Sequence, residues 1–489
     1  MFTKSFLLVA PAAVLLSGTS VFALTAEEVW ADLQGLASEN DSAISAATEV
    51  KEDGAVVLNG VSIGPAGKPA FVTIAEMSIE EQDDGSVAFF PSDIKVVGAP
   101  GMTASIEEQE LSVSVFEDEG GLGYAVFADM LKVVFDSSEG SGDTAIRNAG
   151  SFVFEGLEAS YGRATEAMTV DLTADRLVYD LTQVNKAAMI DSTSVSDSAD
   201  LVIAGTLTVP EGVDLAALDA PGAFEAAVAA GLAMDATMTS GASGGTMDER
   251  SEMMPIKAEF QSTGSSMKLA FDQERLVTDL EATGITLNVT PPGMPMAFPA
   301  SLDSLGMTYL MPIVAPEGGD YQLKLNLNNL VVGEEVWSMF DPGAALPREP
   351  ANLALDLTGQ AKFDMLAMIA ADTAGTAAPI PEPVSLDIKE LAVKVAGATL
   401  AGTGAFTFDN SMLAAGGPPM PVGTADLRLE GGNKLIDGLI AIGLLTSEDA
   451  MGARMMMAMF GKPEGEDVLT SQIEARQGGS IFVNGQQIQ

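Results

Sequence analysis

A short alternating stretch, LSVSVFEDEGG at residues 111–121, decides the fold class of this chain. Val113 and Val115 alternate with serines, which is the period of a β-strand that buries one face. The acidic and glycine residues that follow, at 118–121, are typical of a tight turn between two strands. The stretch therefore predicts one arm of an antiparallel hairpin.

The same pattern recurs along most of the chain. Apolar and β-branched runs alternate with turns rich in Asp and Gly, as in an antiparallel meander. The clearest predicted strands lie at residues 56–63, 71–80, 111–117, 151–155, 168–175, 176–181, 204–209, 267–271, 276–289, 321–327, 352–358, 468–475 and 481–483. We expect an α+β protein dominated by antiparallel β-sheet, as an elongated curved sheet or as two similar sheet units with short covering helices.

Helices are predicted at three further places. Thr25 and Glu28 form a capping box ahead of an apolar stripe, so a helix opens the mature chain. A second helix is expected at residues 223–234. A helical hairpin is predicted near the C-terminus, with Asn433 as the N-cap of its first helix and Thr446 at the start of its second.

These elements divide the chain into four predicted regions. Residues 1–23 are a signal peptide, and residues 24–210 are an N-terminal β-meander with its opening helix. Residues 211–330 combine a helix with strands, and residues 331–489 contain the helical hairpin and the closing strands.

The tetrapeptide EEVW occurs twice, at residues 27–30 and 334–337, and contains both tryptophans of the chain. Each copy predicts a short helix ahead of a run of strands, with Trp30 and Trp337 as packing anchors. Duplication of a sheet unit and two independent helix starts both explain the echo.

The first 23 residues have the pattern of a cleavable secretory signal. Lys4 precedes an apolar run at 6–16, and small residues end the segment at Ala23. This run is shorter than the ~20 residues of a membrane-spanning helix, and no later stretch is long and apolar enough to be one. We therefore expect export, cleavage after Ala23, a periplasmic location and no transmembrane segment after cleavage.

The chain is strongly acidic. Asp and Glu number 69 against 23 Lys and Arg, which gives a formal net charge of −46, and cleavage would remove one more cation, Lys4. Such a charge repels nucleic-acid phosphates and anionic membrane surfaces, so no nucleic-acid partner is expected. Because 47% of the residues are hydrophobic, a folded core is expected despite the charge.

The composition gives catalysis little support. The chain has no His and no Cys, and so lacks the usual neutral-pH base, the thiolate nucleophile and the common zinc ligands. Carboxylate pairs such as Asp171 with Asp175, or Glu107 with Glu110, leave a hydrolase as an alternative. Three acidic turns lack the spacing of a calcium loop: 82–85, 117–121 and 136–143. We assign no catalytic, cofactor-binding or metal-ligating residue, and we expect no cofactor and no enzymatic activity.

A methionine-rich segment, residues 451–459, lies in the second helix of the predicted hairpin. Flexible thioether side chains are typical of an adaptable apolar contact surface. Methionines on two sides of a helix are equally typical of packing between a sheet and a neighbouring helix. The sequence leaves both interpretations open.

The stretch EVWSMFDPGAALPREPANLALDLTG, residues 335–359, is distinctive, and so is the opening TAEEVWADLQ. Both resemble the Gram-negative secreted family catalogued as domain of unknown function 2125, as do the segments 402–410, 426–437, 450–460 and 465–489. The resemblance covers nearly the whole mature chain and implies no activity. More distantly, the strand-rich layout looks like the elongated periplasmic bridge proteins that move lipid.

Three functions are compatible with these features. The first is a non-enzymatic periplasmic protein of envelope maintenance that binds an apolar ligand such as a lipid, because a curved sheet rich in Ala and Gly can enclose one without a catalytic group. The second is an acidic scaffold with a closed core and an envelope protein as its partner. The third is a carboxylate-based hydrolase. An open apolar sheet face would separate the first from the second.

Overall fold

The computed structural model describes residues 24–488, apart from 40–41, 53, 66, 68–69, 97–101, 119–120, 141, 164–166, 188, 219, 221, 252–254 and 295. The predicted signal peptide, residues 1–23, lies outside the described residues. Within them the protein is α+β and dominated by antiparallel strands, as predicted. None of the described helices combines the length and apolarity needed to cross a bilayer.

The chain divides into two compact units, and the first comprises residues up to Ala216 with Met234–Gly264 and Thr290–Pro295. It opens with helix α1 (Ala26–Glu39). Its strands are β1 (Ser42–Ser45), β2 (Thr48–Glu52), β3 (Ala55–Pro65), β4 (Val72–Glu81), β5 (Val87–Ser92), β6 (Lys95–Val96), β7 (Met102–Gln109), β8 (Ser112–Asp118), β9 (Gly121–Glu139), β10 (Ile146–Arg163), β11 (Ala167–Asn185), β12 (Ile190–Thr208), β13 (Ala233–Ser240), β14 (Ser243–Glu249) and β15 (Ile256–Ser262).

The sheet of the first unit is an antiparallel meander with a split beginning. Strands β1 and β2 share one edge of β3, and β4 pairs along its other edge with β5 and β6. Strands β7 and β8 both pair with β9, and single ladders follow from β9 through β12 to β14 and β15.

Helix α1 packs into the core of the first unit. The predicted capping box is confirmed: Thr25 Oγ1 accepts the Glu28 N–H at 3.3 Å, and a Glu28 carboxylate oxygen accepts the Thr25 N–H at 3.0 Å. The buried face of the helix includes Val29 and Trp30, which pack with Leu58 and its neighbours on β3 and β4. Trp30, at 5% exposed, is therefore the predicted packing anchor.

The long strands β9 to β12 carry a second apolar cluster and an interruption of their pairing at Gly156. Gly156 has φ +61°, and a side chain there would collide with the Asp175 carboxylate, so glycine is required. Phe154 and Leu157, three residues apart and on either side of this interruption, join the same cluster. The predicted strands 168–175 and 176–181 are accordingly one strand, β11, which continues in unchanged register past the interruption.

The second unit comprises Ala217–Ala233, Ser265–Val289 and Met296–Gln489. Its helices are α2 (Ala223–Ala230), α3 (Glu334–Phe340), α4 (Met365–Ala374), α5 (Gly432–Ala441) and α6 (Ser447–Phe460). Its strands are β16 (Gly264–Phe271), β17 (Arg275–Thr290), β18 (Phe298–Pro312), β19 (Val314–Val332), β20 (Ala351–Asp364), β21 (Glu382–Val395), β22 (Ala398–Asp409), β23 (Met420–Glu430), β24 (Lys462–Gly465), β25 (Val468–Ala475), β26 (Ile481–Val483) and β27 (Gln486–Gln487).

From β17 to β23 each strand of the second unit pairs antiparallel with the next strand in sequence. Strand β23 then pairs with β25, because the helical hairpin α5–α6 and the short β24 intervene in the chain. The sheet tapers at its end, where the eight-residue β25 is followed by strands of three and two residues.

Two predicted helix ends are wrong. The helix expected at 223–234 ends at Ala230, because Gly231 adopts φ +115° and stops it. Asn433 is not an N-cap but lies inside α5, after Gly431. The cap comes from Asp467 in the β24–β25 turn, whose two carboxylate oxygens accept the N–H groups of Asn433 at 2.8 Å and Lys434 at 3.0 Å. The predicted start at Thr446 is confirmed, since its hydroxyl accepts the Asp449 N–H.

Asp467 should stabilise the second unit in a pH-dependent way. Burial raises the pKa of its carboxyl, but the hydrogen bonds from Asn433 and Lys434 outweigh that effect and hold the pKa below its ordinary value. A depressed carboxyl pKa stabilises the fold above the unfolded value, about 3.9, and this stabilisation is lost as the pH falls through the folded pKa.

We therefore expect Asp467→Ala to lower the free energy of unfolding of the second unit by about 1 kcal/mol near neutral pH, with a smaller loss in acid. Unfolding is followed by Trp337 fluorescence in a Trp30→Phe background, because Trp337 belongs to the second unit. Glu466→Ala, at the exposed neighbouring position, is the control. Equal losses in the two variants would contradict the capping role.

Candidate functional site: an apolar sheet face in the second unit

The antiparallel register of the second unit brings apolar side chains into continuous rows. Residues directly opposite each other on neighbouring antiparallel strands point to the same face. A central row crosses eight strands: Leu280, Met307, Leu325, Leu355, Leu391, Gly402, Leu427 and Ser471. Six of these eight positions hold Leu or Met.

Two more rows flank the central one on the same face. The first consists of Ala282, Leu305, Leu327, Leu353, Val393, Leu400, Leu429 and Leu469. The second consists of Thr278, Tyr309, Leu323, Leu357, Ile388, Gly404, Ala425 and Ile473. We call the three rows together the apolar face.

The large side chains of the apolar face remain accessible. Leu305 is 45% exposed and Leu280 is 37% exposed, and every other Leu, Ile, Val and Met of the three rows is half-buried. Along β20, nine consecutive residues share this intermediate exposure instead of alternating between buried and exposed. That pattern is typical of a single-layer sheet with neither face fully covered.

The first unit provides the contrast. Its strand β3 alternates between buried and half-exposed positions, and Leu58 and Val56 are fully buried. The two clusters of buried apolar residues found in the described part of the chain both lie in that unit. Among the described residues, the second unit thus has the richer run of leucines without a buried apolar cluster to match it.

Small residues let neighbouring side chains pack over the middle of the apolar face. At Gly402 an added methyl group would collide with the Leu427 side chain, and Leu391 Cδ2 would lie 3.7 Å away. A methyl group at Gly404 would press against Ala425 at 2.9 Å. The side chains of neighbouring leucines therefore pack over glycine and alanine residues of the apolar face.

The helical hairpin α5–α6 covers one end of the apolar face. A Cβ atom added at Gly432 would lie 2.9 Å from the Leu429 side chain and 3.2 Å from Met457 Sδ. A Cβ atom added at Gly461 would lie 3.1 Å from the Leu469 side chain. Met457 therefore packs toward the sheet, whereas Met451, Met455, Met456 and Met459 are exposed. The packing interpretation of the methionine segment holds for Met457 alone.

The loop after α3 holds this hairpin in place. The buried Asp341 carboxylate accepts the N–H groups of Leu346 and Ala345 at 2.8 and 2.7 Å. These hydrogen bonds, with the charge of Arg348, outweigh burial and keep the pKa of Asp341 below its ordinary value. The loop is fixed in this way, and it packs the Leu346 side chain against Gly438 of α5.

The second EEVW copy does not repeat the role of the first. Helix α3 has no buried residue, and Trp337 is half-buried, with the Arg348 guanidinium 5.8 Å from its ring centre. Trp337 is therefore a less deeply packed anchor than Trp30 and is partly covered by a cation–π contact.

The opposite face of the same strands is polar. An open depression of about 770 Å³ lies there, among residues that include Asp426, Arg428 and Gln472. Arg428 pairs with Glu430 at 2.8 Å and Glu464 at 3.4 Å, and Gln472 donates to Asp426 at 3.1 Å. Because these groups bond to one another, the depression resembles a solvated surface more than a binding site.

The structure disperses the carboxylate pairs considered from the sequence. Glu107 forms an ion pair with Lys132 at 3.1 Å, while Glu110 occupies a turn with φ +53°. Asp175 lies opposite Gly156 at the interruption of the pairing, and Asp171 lies four residues before it on the same extended strand. Within the described residues, no three acidic side chains converge in a way that could hold a metal ion.

An accessible apolar face predicts unequal stability effects in the two units. We expect Leu58→Ala to cost about 2–5 kcal/mol, because it empties a closed core, whereas Leu325→Ala should cost about 1 kcal/mol or less. Trp30 and Trp337 fluorescence, each in a variant with the other tryptophan changed to Phe, reports the unit concerned. Similar losses in lipid-free protein would mean that the face is covered in solution.

Comparison with known proteins gives a family and nothing beyond it. Residues 230–481, just over half of the chain, match the family described as "Uncharacterized protein conserved in bacteria (DUF2125)". No curated protein and no solved structure matches the chain. The matched span contains every strand of the apolar face and the hairpin α5–α6, whereas α1 and the core around Leu58 lie outside it. On this match, the chain belongs to the DUF2125 family of uncharacterised bacterial proteins.

Proposed function

We propose that this protein is a non-enzymatic, exported lipid-binding protein of the cell envelope, and that the acyl chains of its ligand lie on the apolar face. The observation that carries the proposal is the set of three apolar rows across eight strands, in which no large side chain is fully buried. Export rests on the leader pattern at residues 1–23.

The dimensions of the apolar face suit acyl chains. With strands about 4.8 Å apart and residues about 3.4 Å apart, three rows across eight strands cover roughly 34 Å by 14 Å. An area of about 480 Å² is comparable to the largest apolar patch of a typical soluble monomer, and such patches are often functional. One leaflet of a bilayer is about 15 Å of hydrocarbon deep, so an extended acyl chain fits across the rows.

The charge of the protein restricts the headgroup. A net charge of −46 repels an anionic headgroup. A zwitterionic or neutral lipid, held by its tails with its headgroup in solvent, avoids this repulsion. Binding of this kind needs shape and apolarity but no catalytic group, which agrees with a chain that has no His and no Cys.

The closed-core scaffold is the competing function. It would need the apolar face to be covered by a partner protein, since the second unit does not bury the face itself. Lipid binding requires no further protein, because the ligand itself would cover the half-buried leucines of the apolar face.

Gently purified protein should therefore carry lipid. We expect native mass spectrometry of periplasmic extract to show the polypeptide with added phospholipid mass, removable by organic extraction. The denatured mass should correspond to a chain that begins at Leu24. A bare polypeptide, together with no saturable uptake of the neutral fluorophore N-phenyl-1-naphthylamine, would leave the scaffold as the better explanation.

A matched pair of variants locates the binding surface. Leu355→Gln places a polar amide in the central row, and Ala354→Gln places the same side chain on the opposite face of the same strand. We expect about tenfold weaker fluorophore binding for the first variant, equivalent to about 1.4 kcal/mol, and unchanged binding for the second. Equal effects would place the binding site elsewhere.

A further inference from the structure

The exposed side of helix α6 is made of methionines. Met451, Met455, Met456 and Met459 are 62%, 65%, 56% and 59% exposed. The other side of the helix attaches it to its surroundings, through the buried Ala450 and through Arg454, which donates to Asp437 at 2.5 Å and to Asn433 at 3.2 Å. The four thioethers therefore take no part in packing the hairpin.

A gap lies in the middle of this methionine surface. At Gly452 an added Cβ would meet nothing within 4 Å, so the space above this residue is open. Residues three and four positions away along a helix have Cβ atoms about 5–6 Å apart on the same surface. Glu448, Met455 and Met456 occupy those positions around Gly452, and Met451 adjoins it. Asp449 is the fourth of these neighbours, so two thioethers and two carboxylates flank a vacant patch of helix backbone, and the Met451 thioether precedes it in the chain.

Sulfur donors of this type select soft metal ions. Thioethers bind Cu(I) well and bind hard cations such as Mg²⁺ and Ca²⁺ poorly. Methionine is also the sole source of soft donor atoms here, because the chain has neither Cys nor His. The net negative charge and the nearby Glu448 further favour a cation at this surface.

The geometry points to a soft monovalent metal site on α6, in which Met451, Met455 and Met456 bind Cu(I) above Gly452. Glu448 supplies the balancing charge, and Met459, one turn further along, contributes an additional thioether. The site is independent of the proposed lipid binding, since these side chains point away from the apolar face that Met457 contacts.

The test uses Ag(I), a soft monovalent ion that resists oxidation, and the full mature chain. Isothermal titration calorimetry in chloride-free buffer should show one saturable Ag(I) per chain. In ε-¹³C-methionine-labelled protein, the methyl resonances of Met451, Met455 and Met456 should shift on saturation, and that of Met412, an exposed methionine elsewhere, should not.

The variant Met451→Leu/Met455→Leu/Met456→Leu keeps an apolar helical surface but removes the sulfur atoms. Loss of a supporting partner alone weakens metal binding by about 10–100-fold, so loss of these ligands should weaken Ag(I) binding by at least that factor. Met412→Leu should leave the affinity unchanged, and unaltered circular dichroism would show that the fold is intact.

Retention of wild-type Ag(I) affinity by the triple variant would overturn the proposal, and so would equal shifts at Met412 and at the α6 methionines. A triple variant that binds lipid vesicles or a protein less well, with no change in Ag(I) binding, would instead identify the methionines as an apolar docking surface.

Discussion

Antiparallel register is the constraint on which the second unit depends. Side chains alternate between the two faces of a strand, so a slip of one residue would move a whole set of leucines to the polar side. The pairing of β21 with β22 is irregular between Ile388 and Leu391, which lie three positions apart and still share the apolar face. One extra residue in β21 therefore keeps Ile388 and Leu391 on the same face, although an odd spacing would otherwise place them on opposite faces.

The two units use similar strands to different ends. In the first unit, α1 fills the space beside β3 and β4, and burial of Leu58 and Trp30 supplies the stability of a closed core. The second unit buries less and relies more on its hydrogen-bonded ladders and on polar anchors. Asp467 and Asp341 are such anchors, because each carboxylate fixes two backbone N–H groups at the supports of one helical hairpin. This division assigns stability to one part and an accessible surface to the other.

Local features of the sequence were sufficient to predict the fold class. Alternation at 111–117 and the capping box at Thr25 and Glu28 act over a few residues, and both are present as predicted. Asp467 could not be predicted as the cap of α5, because it lies over thirty positions away and Asn433 has the side chain of a local cap. The three apolar rows require the register of eight strands at once. From its local sequence alone, each leucine of the rows looks like an ordinary core residue.

The tapering end of the second sheet limits what can be added to it. An exposed edge strand offers unpaired N–H and C=O groups to any other chain, and long flat edges invite aggregation. Here the last pairings involve Ile481–Val483 and then Gln486–Gln487. So few residues give an incoming strand almost no ladder to extend. The final strands therefore give a second copy of the chain little backbone on which to extend this end of the sheet.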